Sequence, residues 1–442
     1  MSRQSGSLAA QGTPLPAEVT PWEPRFTDEV TLTRFGFGTD NVTSEVRVAA
    51  FQQTYPNFKL EATTEFDDQK ILTAVASGDV PDLFWLSSDS IQSWAARDAL
   101  EPLDDLIAGD DRFDVSQFYQ SEVTRDQYDG QTWGIPQFVD CRPLWLDGES
   151  LAEAGIDIAS VDTANWDQLM ANGQALLKAD GDQISRWGFD PKTDGFFWMW
   201  AWGNGGDLLS EDGLTATFDL QQNIDALQYN LDVYKSQGGF AAYQAFIQTT
   251  GFDGVDNFFV QHQVATTLFE SWLLGIVASG DPAHQFTVTP FKGKDGQVYS
   301  ITGGNSWAIP KGAKNKEAAW EWISYFSSPA IWLETSQTIR DRQQSEQKLY
   351  TPALTANQTA NQLLLDQVFA PTENESVNQA IQLYPTLLEA NRQAAASPVL
   401  KEINDILSNT VVKPALSEEK SPADALKEGQ EKAQAALDDF FK

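Results

Sequence analysis

The alternation of strand and helix patterns near the start of the chain constrains the fold most. Residues Val30 to Phe35 have the apolar pattern of a strand, and the helical pattern that follows stops at Tyr55-Pro56, because the residue before a proline avoids helix. Residues Phe58 to Ala62 predict a second strand, and a second helical pattern then leads into a short apolar strand from Leu83 to Leu86. This β-α-β-α-β order predicts an α/β fold with a mainly parallel sheet covered by helices.

Sheets of this kind bind ligands beyond the carboxyl ends of their strands. Those ends fall near residues Phe37 to Asn41, Glu65 to Asp68, and Trp85 to Asp89. They bring aromatic and carboxylate side chains to one edge. We therefore expect the binding site at this edge of the sheet.

The later part of the chain continues the mixture of strands and helices. Asn165 predicts the start of a helix at Trp166, and residues Phe286 to Phe291 predict a strand. Further helices are predicted for Lys316 to Ser324 and after Ser421-Pro422, a favourable pair for a cap and first turn. A chain of 442 residues is too long for one compact core, so we expect two lobes.

The charge of the chain excludes one class of partner. It has 63 Asp and Glu residues against 29 Lys and Arg, a formal net charge of -34 at pH 7. Such a surface repels phosphate backbones and anionic lipids. We expect no nucleic-acid partner, although the charge itself identifies no ligand.

Cysteine and histidine are scarce. The single cysteine, Cys141, excludes an intramolecular disulfide, and with only His262 and His284 beside it the chain lacks the ligands of a usual zinc or copper site. Neither histidine lies in a motif with a nucleophile. We expect no metal, no cofactor and no nucleophilic catalysis, which leaves carboxylate chemistry as the one catalytic option.

Several short segments occur in an order that is typical of one family. They are Ala76-Ser77-Gly78-Asp79-Val80-Pro81-Asp82-Leu83-Phe84, Leu100 to Asp105, Tyr128 to Pro136, Asp140 to Arg142, Asn204 to Asp207, Phe258 to Trp272, and Gly303 to Lys311. In these segments the chain resembles the extracellular solute-binding proteins of ABC importers, in the branch of maltose-binding and other sugar-binding proteins.

The resemblance implies a periplasmic-binding-protein-like fold of type II, with two α/β lobes, a hinge and a ligand cleft between the lobes. It assigns residues 26–138 and 286–326 to the first lobe and residues 139–285 and 327–442 to the second, after a flexible tether of residues 1–25. It also implies a monomer outside the cytoplasm, in the periplasm or at the cell surface, with a lipid anchor in the full-length precursor. Its partners are a carbohydrate and the permease subunits of the transporter.

The resemblance and the predicted strand ends together give the candidate ligand-binding residues. These are Phe37, Asp40, Asp67, Trp85, Ser88, Asp89, Asp140, Arg142, Phe196, Trp198, Trp272, Gly304, Asn305 and Arg340.

Their residue types suit a sugar. A pyranose has apolar C–H faces that a flat aromatic ring covers, while charged and planar polar groups bind the hydroxyls at its edge. Trp272 is the strongest candidate for stacking, and for Trp85 and Trp198 a role in the core is equally consistent with the sequence. We expect Trp202 and Trp322 to be core residues.

Two other functions stay open at this stage. A glycoside hydrolase also combines tryptophans with carboxylates, but the sequence has no motif that fixes a pair of carboxyl groups. A binding protein for a non-sugar solute is the other alternative. Two departures from the family pattern, at Leu146-Asp147-Gly148 and Glu270-Ser271, leave the identity of the ligand open.

Overall fold

The structure is a computed structural model that describes residues 19–39, 41–63, 73–75, 77–181 and 183–441. Most of the predicted tether, the predicted start of the second helix, and the site candidates Asp40 and Asp67 lie outside the described residues.

Strands and helices are mixed along the whole described chain, as predicted. The strands, numbered in chain order, are β1 Val30–Phe35, β2 Phe58–Thr63, β3 Leu83–Ser87, β4 Gln127–Tyr128, β5 Gln131–Thr132, β6 Ile135–Val139, β7 Leu144–Asp147, β8 Lys178–Asp180, β9 Gln183–Asp190, β10 Val264–Leu268, β11 Phe286–Thr289, β12 Phe291–Lys292, β13 Val298–Tyr299 and β14 Gly304–Ala308.

Helices connect and cover these strands. They are Val42–Thr54, Ser88–Ala96, Asp104–Gly109, Gln120–Arg125, Gly148–Glu153, Trp166–Leu176, Thr193–Gly203, Gln221–Lys235, Phe240–Ile247, Leu273–Gly280, Lys316–Ser327, Pro329–Ser345, Gln358–Gln367, Glu375–Glu389, Leu400–Ile406, Lys413–Leu416 and Pro422–Phe440, with a π-helical stretch at Leu407–Val412. Among the described residues, no helix is long and apolar enough to cross a membrane.

Ten of the described strands form two five-stranded sheets, while β4 with β5 and β12 with β13 form two-stranded sheets. The first sheet has the order β2-β1-β3-β14-β6, in which β1 is parallel to β2 and β3, while β14 is antiparallel to β3 and β6. The second sheet has the order β11-β7-β10-β9-β8, with β9 and β10 parallel and the other pairs antiparallel. The predicted α/β fold is confirmed, but the prediction of a mainly parallel sheet is wrong, because three of the eight described strand pairs in these two sheets are parallel and five are antiparallel.

The sheet pairing refines where the chain returns to the first sheet. The resemblance assigns residues 286–326 to the first lobe, but Phe286–Thr289 pairs with β7 in the second sheet. The chain enters the first sheet again only at β14, which pairs with β3 and β6. The apolar pattern predicts a strand at Phe286 but carries no information about which sheet it joins.

Helix caps follow the sequence signals closely. The Asn165 side chain accepts a hydrogen bond from the Gln168 backbone N–H, and the Ser421 side chain accepts one from Asp424. Each cap satisfies an amide that has no partner inside its helix. The predicted helix starts at Trp166 and after Ser421 are therefore confirmed, as is the core position of Trp202 and Trp322, which are buried.

A network of charged side chains is buried beside the first sheet. Arg125 is buried and donates hydrogen bonds to Asp89 and Glu122. Asp126, the next residue along the chain, is fully buried, and its burial raises the pKa of the carboxyl to about 8. The folded protein therefore holds a proton on Asp126 at neutral pH that the unfolded chain releases.

This difference predicts how stability depends on pH. The folded pKa of Asp126 lies above its unfolded value of about 3.9, so stability is fully present below about pH 4 and falls as the pH rises towards 8. The slope from this one group approaches about 1.4 kcal/mol per pH unit. Asp126→Asn removes the titration, so urea unfolding of the variant across this range is expected to show a flatter pH profile than the parent.

Asp129→Asn is the matched control, because Asp129 is exposed three residues away and asparagine tolerates its left-handed backbone, at φ 49°. Identical pH profiles for the parent and Asp126→Asn would contradict the assignment.

Candidate functional site

Several predicted site residues meet at one edge of the first sheet. Strands β1, β3 and β6 end there, and the antiparallel strand β14 begins there. The sheet thereby brings together Phe37 after β1, Ser88 and Asp89 after β3, and Asp140 after β6. Gly304 and Asn305 lie at the same edge, at the start of β14.

A pocket of about 280 Å³ opens at this edge. Its walls are mostly aromatic and apolar, with a few polar groups among them. The lining residues are Phe37, Asn41, Thr43, Ser44, Arg47, Trp85, Gln137, Phe138, Asn305, Trp332, Ala353 and Leu354. An apolar pocket with few polar groups is the usual form of a small-molecule site.

Trp85 forms a fixed wall of this pocket. Its indole N–H donates to the Gln137 side-chain oxygen at 3.0 Å, and its ring packs edge-on against Phe37 at 5.4 Å between centroids. These contacts fix the ring orientation while Trp85 stays only half-buried. A ring held in this way can offer a flat apolar surface without losing rotamer freedom when a ligand binds.

Asn305 lines the same pocket, and its position there depends on Gly304. In β14, Asn305 is paired with Ser87 of β3 and with Phe138 of β6. A Cβ atom at Gly304 would lie 2.3 Å from the Phe138 carbonyl oxygen. Glycine at this position therefore lets β14 and β6 approach closely, which places Asn305 between the two strands at the pocket.

The pair Asp140–Arg142 lies in the segment that leaves the first sheet for the second. Arg142 is ion-paired with Asp140, and Asp140 Oδ1 also accepts a hydrogen bond from the Gly303 backbone N–H at 2.7 Å. The Arg142 backbone N–H donates to Ser300 Oγ at 3.0 Å. Because Ser300 and Gly303 belong to the segment that returns to the first sheet, the pair fastens two crossing segments together.

A third segment joins these two crossings. The Arg392 backbone N–H donates to the Ser300 carbonyl oxygen at 2.8 Å. Glu122, buried beside the first sheet, accepts hydrogen bonds from Thr302 Oγ1 at 2.9 Å and from the Gln393 amide at 3.0 Å. The crossing segments thus share a polar network on which the geometry between the sheets depends.

Trp272 lies at the start of the helix Leu273–Gly280, which follows β10 of the second sheet. It is half-buried, with ring centroids 5.2 Å from Phe269 and 5.8 Å from Phe252, which is 54% exposed. A Cβ atom at Gly275 in this helix would lie 3.7 Å from Thr351 Oγ1, just before the pocket residues Ala353 and Leu354. The 351–354 segment thus extends between the first-sheet pocket and the Trp272 helix.

Three predicted residues lie in the interior instead. Trp198 is buried against Trp202, and its indole N–H donates to Asn404. Phe196 is buried beneath the Arg142 guanidinium, 5.0 Å from its ring. Ser88 is buried with its hydroxyl 2.8 Å from that of Ser306. These contacts hold the three side chains in the interior beneath the site. The polar side-chain atoms of Trp198 and Ser88 are used in hydrogen bonds within the protein.

Two predicted charges are neutralised locally. Asp89 accepts hydrogen bonds from Arg125, and Arg340 donates to its neighbour Asp341 on the helix Pro329–Ser345. An ion pair of this kind is typical of a solvated helix face.

The sequence analysis missed several residues that line the pocket. Gln137 lies inside β6, directly after the segment Tyr128 to Pro136 that is typical of the family. Arg47 lies on the helix Val42–Thr54, and its guanidinium lies 3.5 Å from the centre of the Trp332 ring. The helical pattern after β1 predicts this helix, but only the packing of Pro329–Ser345 brings Trp332 over Arg47.

Comparison with known proteins identifies the family. The sequence profile of the bacterial extracellular solute-binding protein family matches residues 39–331, which is more than half of the chain. The chain belongs to this family.

Three proteins are similar to this chain over shares of its length that range from 43% to 93%. A putative binding protein of Brucella abortus (strain 2308) is 25% identical over 382 residues, covering 84% of this chain and 82% of that protein. The arabinooligosaccharide-binding protein of Halalkalibacterium halodurans is 27% identical over 199 residues, covering 43% of this chain and 42% of that protein. The ABC substrate-binding protein Lmo0181 of Listeria monocytogenes, solved in complex with cycloalternan, shares the fold with a TM-score of 0.75 at 20% identity. That comparison covers 93% of this chain and 99% of the other.

The crossing network yields a stability prediction. Arg142→Met leaves Asp140 as a buried, unpaired carboxylate and is expected to lower the free energy of unfolding by about 3 kcal/mol. Adding Asp140→Asn removes that charge while an amide oxygen can still accept from Gly303, so the double variant is expected to regain most of the loss. Equilibrium unfolding in urea measures both values. A double variant less stable than Arg142→Met would show that the ion pair is not what holds the crossing.

Proposed function

We propose that this protein is the substrate-binding component of an ABC transporter, which captures a carbohydrate between two lobes and delivers it to the permease subunits. The lobes are built around the first and second sheets. The observation that carries the proposal is the half-buried Trp85 ring, fixed by Gln137 and Phe37, beside Asn305 in a pocket next to the crossing segments.

The chemistry of this pocket favours a sugar. One face of the Trp85 ring can cover the apolar C–H face of a pyranose, while the Asn305 amide provides both a donor and an acceptor for neighbouring hydroxyls. Burial of such a ring contributes on the order of 1–3 kcal/mol, enough for roughly tenfold to hundredfold in affinity. A sugar needs no charged partner, which agrees with a pocket that has no carboxylate among its described lining residues and whose charged lining residue, Arg47, packs on the Trp332 ring.

Relatives support the same ligand class and transport role. The similar protein of Halalkalibacterium halodurans is an arabinooligosaccharide-binding protein, and Lmo0181 is an ABC substrate-binding protein. In this proposal the protein acts outside the cytoplasm as a monomer, held by a lipid anchor in its precursor, and performs no chemistry on its ligand.

Ligand contacts come from both lobes in this proposal. Phe37, Trp85 and Asn305 form the wall on the first sheet, and Trp272 provides a second aromatic plane from the second sheet. Asp140 and Arg142 hold the crossing beside the cleft. The lobes turn about the crossing segments, and the closed form is the one that the permease recognises.

A sugar screen tests the proposal. The purified protein is expected to bind at least one mono- or oligosaccharide, with a change in tryptophan fluorescence and a rise in melting temperature. Long incubation followed by chromatography is expected to return the sugar unchanged. Cleavage of the sugar would favour the hydrolase alternative, and binding of amino acids or other solutes in place of every sugar would favour the non-sugar alternative.

The variant Trp272→Ala distinguishes a role of Trp272 in stacking on the ligand from a structural role in the core. Because Trp272 is half-buried at the start of a helix, we expect affinity for the identified sugar to fall at least tenfold while the melting temperature stays nearly unchanged. Trp198→Phe is the matched control, because Trp198 is buried and bonded to Asn404, so this variant is expected to lower the melting temperature and keep the affinity. The reverse pattern would place Trp272 in the core and Trp198 in the site.

A further inference from the structure

Both histidines of the chain meet at a single carboxylate. Asp147 Oδ1 lies 2.9 Å from His262 Nδ1 and 3.1 Å from His284 Nε2. The chain contains two histidines in 442 residues, and they are separated by 22 positions. The fold brings them together, with ring centroids 4.6 Å apart and the ring planes nearly parallel at 17°.

The cluster lies away from the proposed sugar site. Asp147 ends β7, and His262 and His284 come just before β10 and β11. Since β7 is antiparallel to both strands, its carboxyl end meets their amino ends at one edge of the second sheet. The crossing at Arg142 precedes the other end of β7. The cluster is therefore at the edge of the second sheet that faces away from the crossing.

The carboxylate is oriented before any ligand binds. Asp147 Oδ2 accepts hydrogen bonds from the Ser150 backbone N–H at 3.1 Å and from the Ser150 hydroxyl, as the cap of the helix Gly148–Glu153. This arrangement leaves Oδ1 directed at the histidines. Oriented carboxylates of this kind are typical of protein metal ligands.

His284 provides an independent observation. Its side chain is fully buried, and neither ring nitrogen makes a hydrogen bond of good geometry with any described residue. Burial of an imidazole without hydrogen bonds is costly. Its Nε2 atom lies 3.1 Å from the shared carboxylate oxygen, so a cation bound by both atoms would satisfy both groups.

The spacing suits a tetrahedral ion. The three ligand atoms lie within 4.8 Å of one another. Two ligands bound to Zn²⁺ at its usual bond lengths lie about 3.4 Å apart in a tetrahedron, close to the 2.9 and 3.1 Å separations seen here. His262 is one-third exposed, so the ion has a path from solvent and a water can complete the shell.

The remaining ring nitrogens also face acceptors. His262 Nε2 lies 3.6 Å from a Glu149 carboxylate oxygen, and His284 Nδ1 lies 3.9 Å from one of Asp281. At these distances neither contact is a hydrogen bond, so neither carboxylate holds its histidine ring in one orientation.

We propose that Asp147 Oδ1, His262 Nδ1 and His284 Nε2 form a binding site for a zinc-like divalent ion, which joins the ends of β7, β10 and β11. Two imidazoles and one carboxylate select Zn²⁺ and similar transition ions over Ca²⁺ and Mg²⁺, which require oxygen ligands. The site is structural and separate from the sugar site.

Metal titration of the full chain, without an affinity tag and freed of metal by chelation, tests the site. Calorimetry with ZnCl₂ is expected to show one ion per chain with a dissociation constant in the micromolar range or below, and Zn²⁺ is expected to raise the melting temperature. Ca²⁺ at the same concentration is expected to do neither. Absence of stoichiometric Zn²⁺ binding would overturn the proposal.

Variants locate the ion. His262→Gln is expected to weaken Zn²⁺ binding at least tenfold, while the matched control Glu149→Gln, which leaves all three ligands in place, stays within about threefold. Equal binding by His262→Gln and the parent would assign the ion to surface carboxylates and overturn the proposal. Sugar affinity is expected to be the same in both variants, so this result is independent of the sugar proposal.

X-ray absorption at the zinc edge of the unmodified protein decides the question even if His262→Gln fails to fold. Two imidazole ligands are expected, and a shell of oxygen atoms alone would contradict the proposed site.

Discussion

The ion pair between Asp140 and Arg142, with its bond to the Gly303 backbone, is the contact on which the relation between the two sheets depends. The chain leaves the first sheet at Val139 and begins β7 at Leu144, and it returns through Ser300 to Gly303. Only a few residues are available to cross, so their side chains must hold the crossings in register. The buried Glu122, which binds Thr302 and Gln393, extends the same network to the third segment.

This arrangement explains why paired charges lie so close to a site for a neutral ligand. Arg142 and Asp140 neutralise each other, and Arg125 is ion-paired with both Asp89 and Glu122. The lining residues of the pocket that the structure describes include no carboxylate, and besides aromatic and amide groups they include the Arg47 guanidinium, which packs against the Trp332 ring. At the opposite edge of the second sheet, the polar cluster around Asp147 has a different composition, with nitrogen ligands in place of aromatic planes.

Much of the fold could be predicted from the sequence because local signals and tertiary structure agree. The β-α-β start, the Asn165 and Ser421 caps and the core positions of Trp202 and Trp322 follow from periodicity and short-range hydrogen bonds. Sheet membership could not be predicted, because Phe286–Thr289 looks the same in either sheet. Trp198 and Phe196 fit a binding site by residue type, yet tertiary packing buries both. The convergence of His262 and His284 had no signal, since only the antiparallel pairing of β7 with β10 and β11 brings them to Asp147.

A crystal structure with the sugar identified by the screen would locate the ligand. We expect one sugar between the two sheets, with a ring face against Trp85 or Trp272 and hydroxyls within hydrogen-bond distance of Asn305. A sugar bound to one lobe alone, or on a surface remote from the crossing segments, would contradict the proposed function.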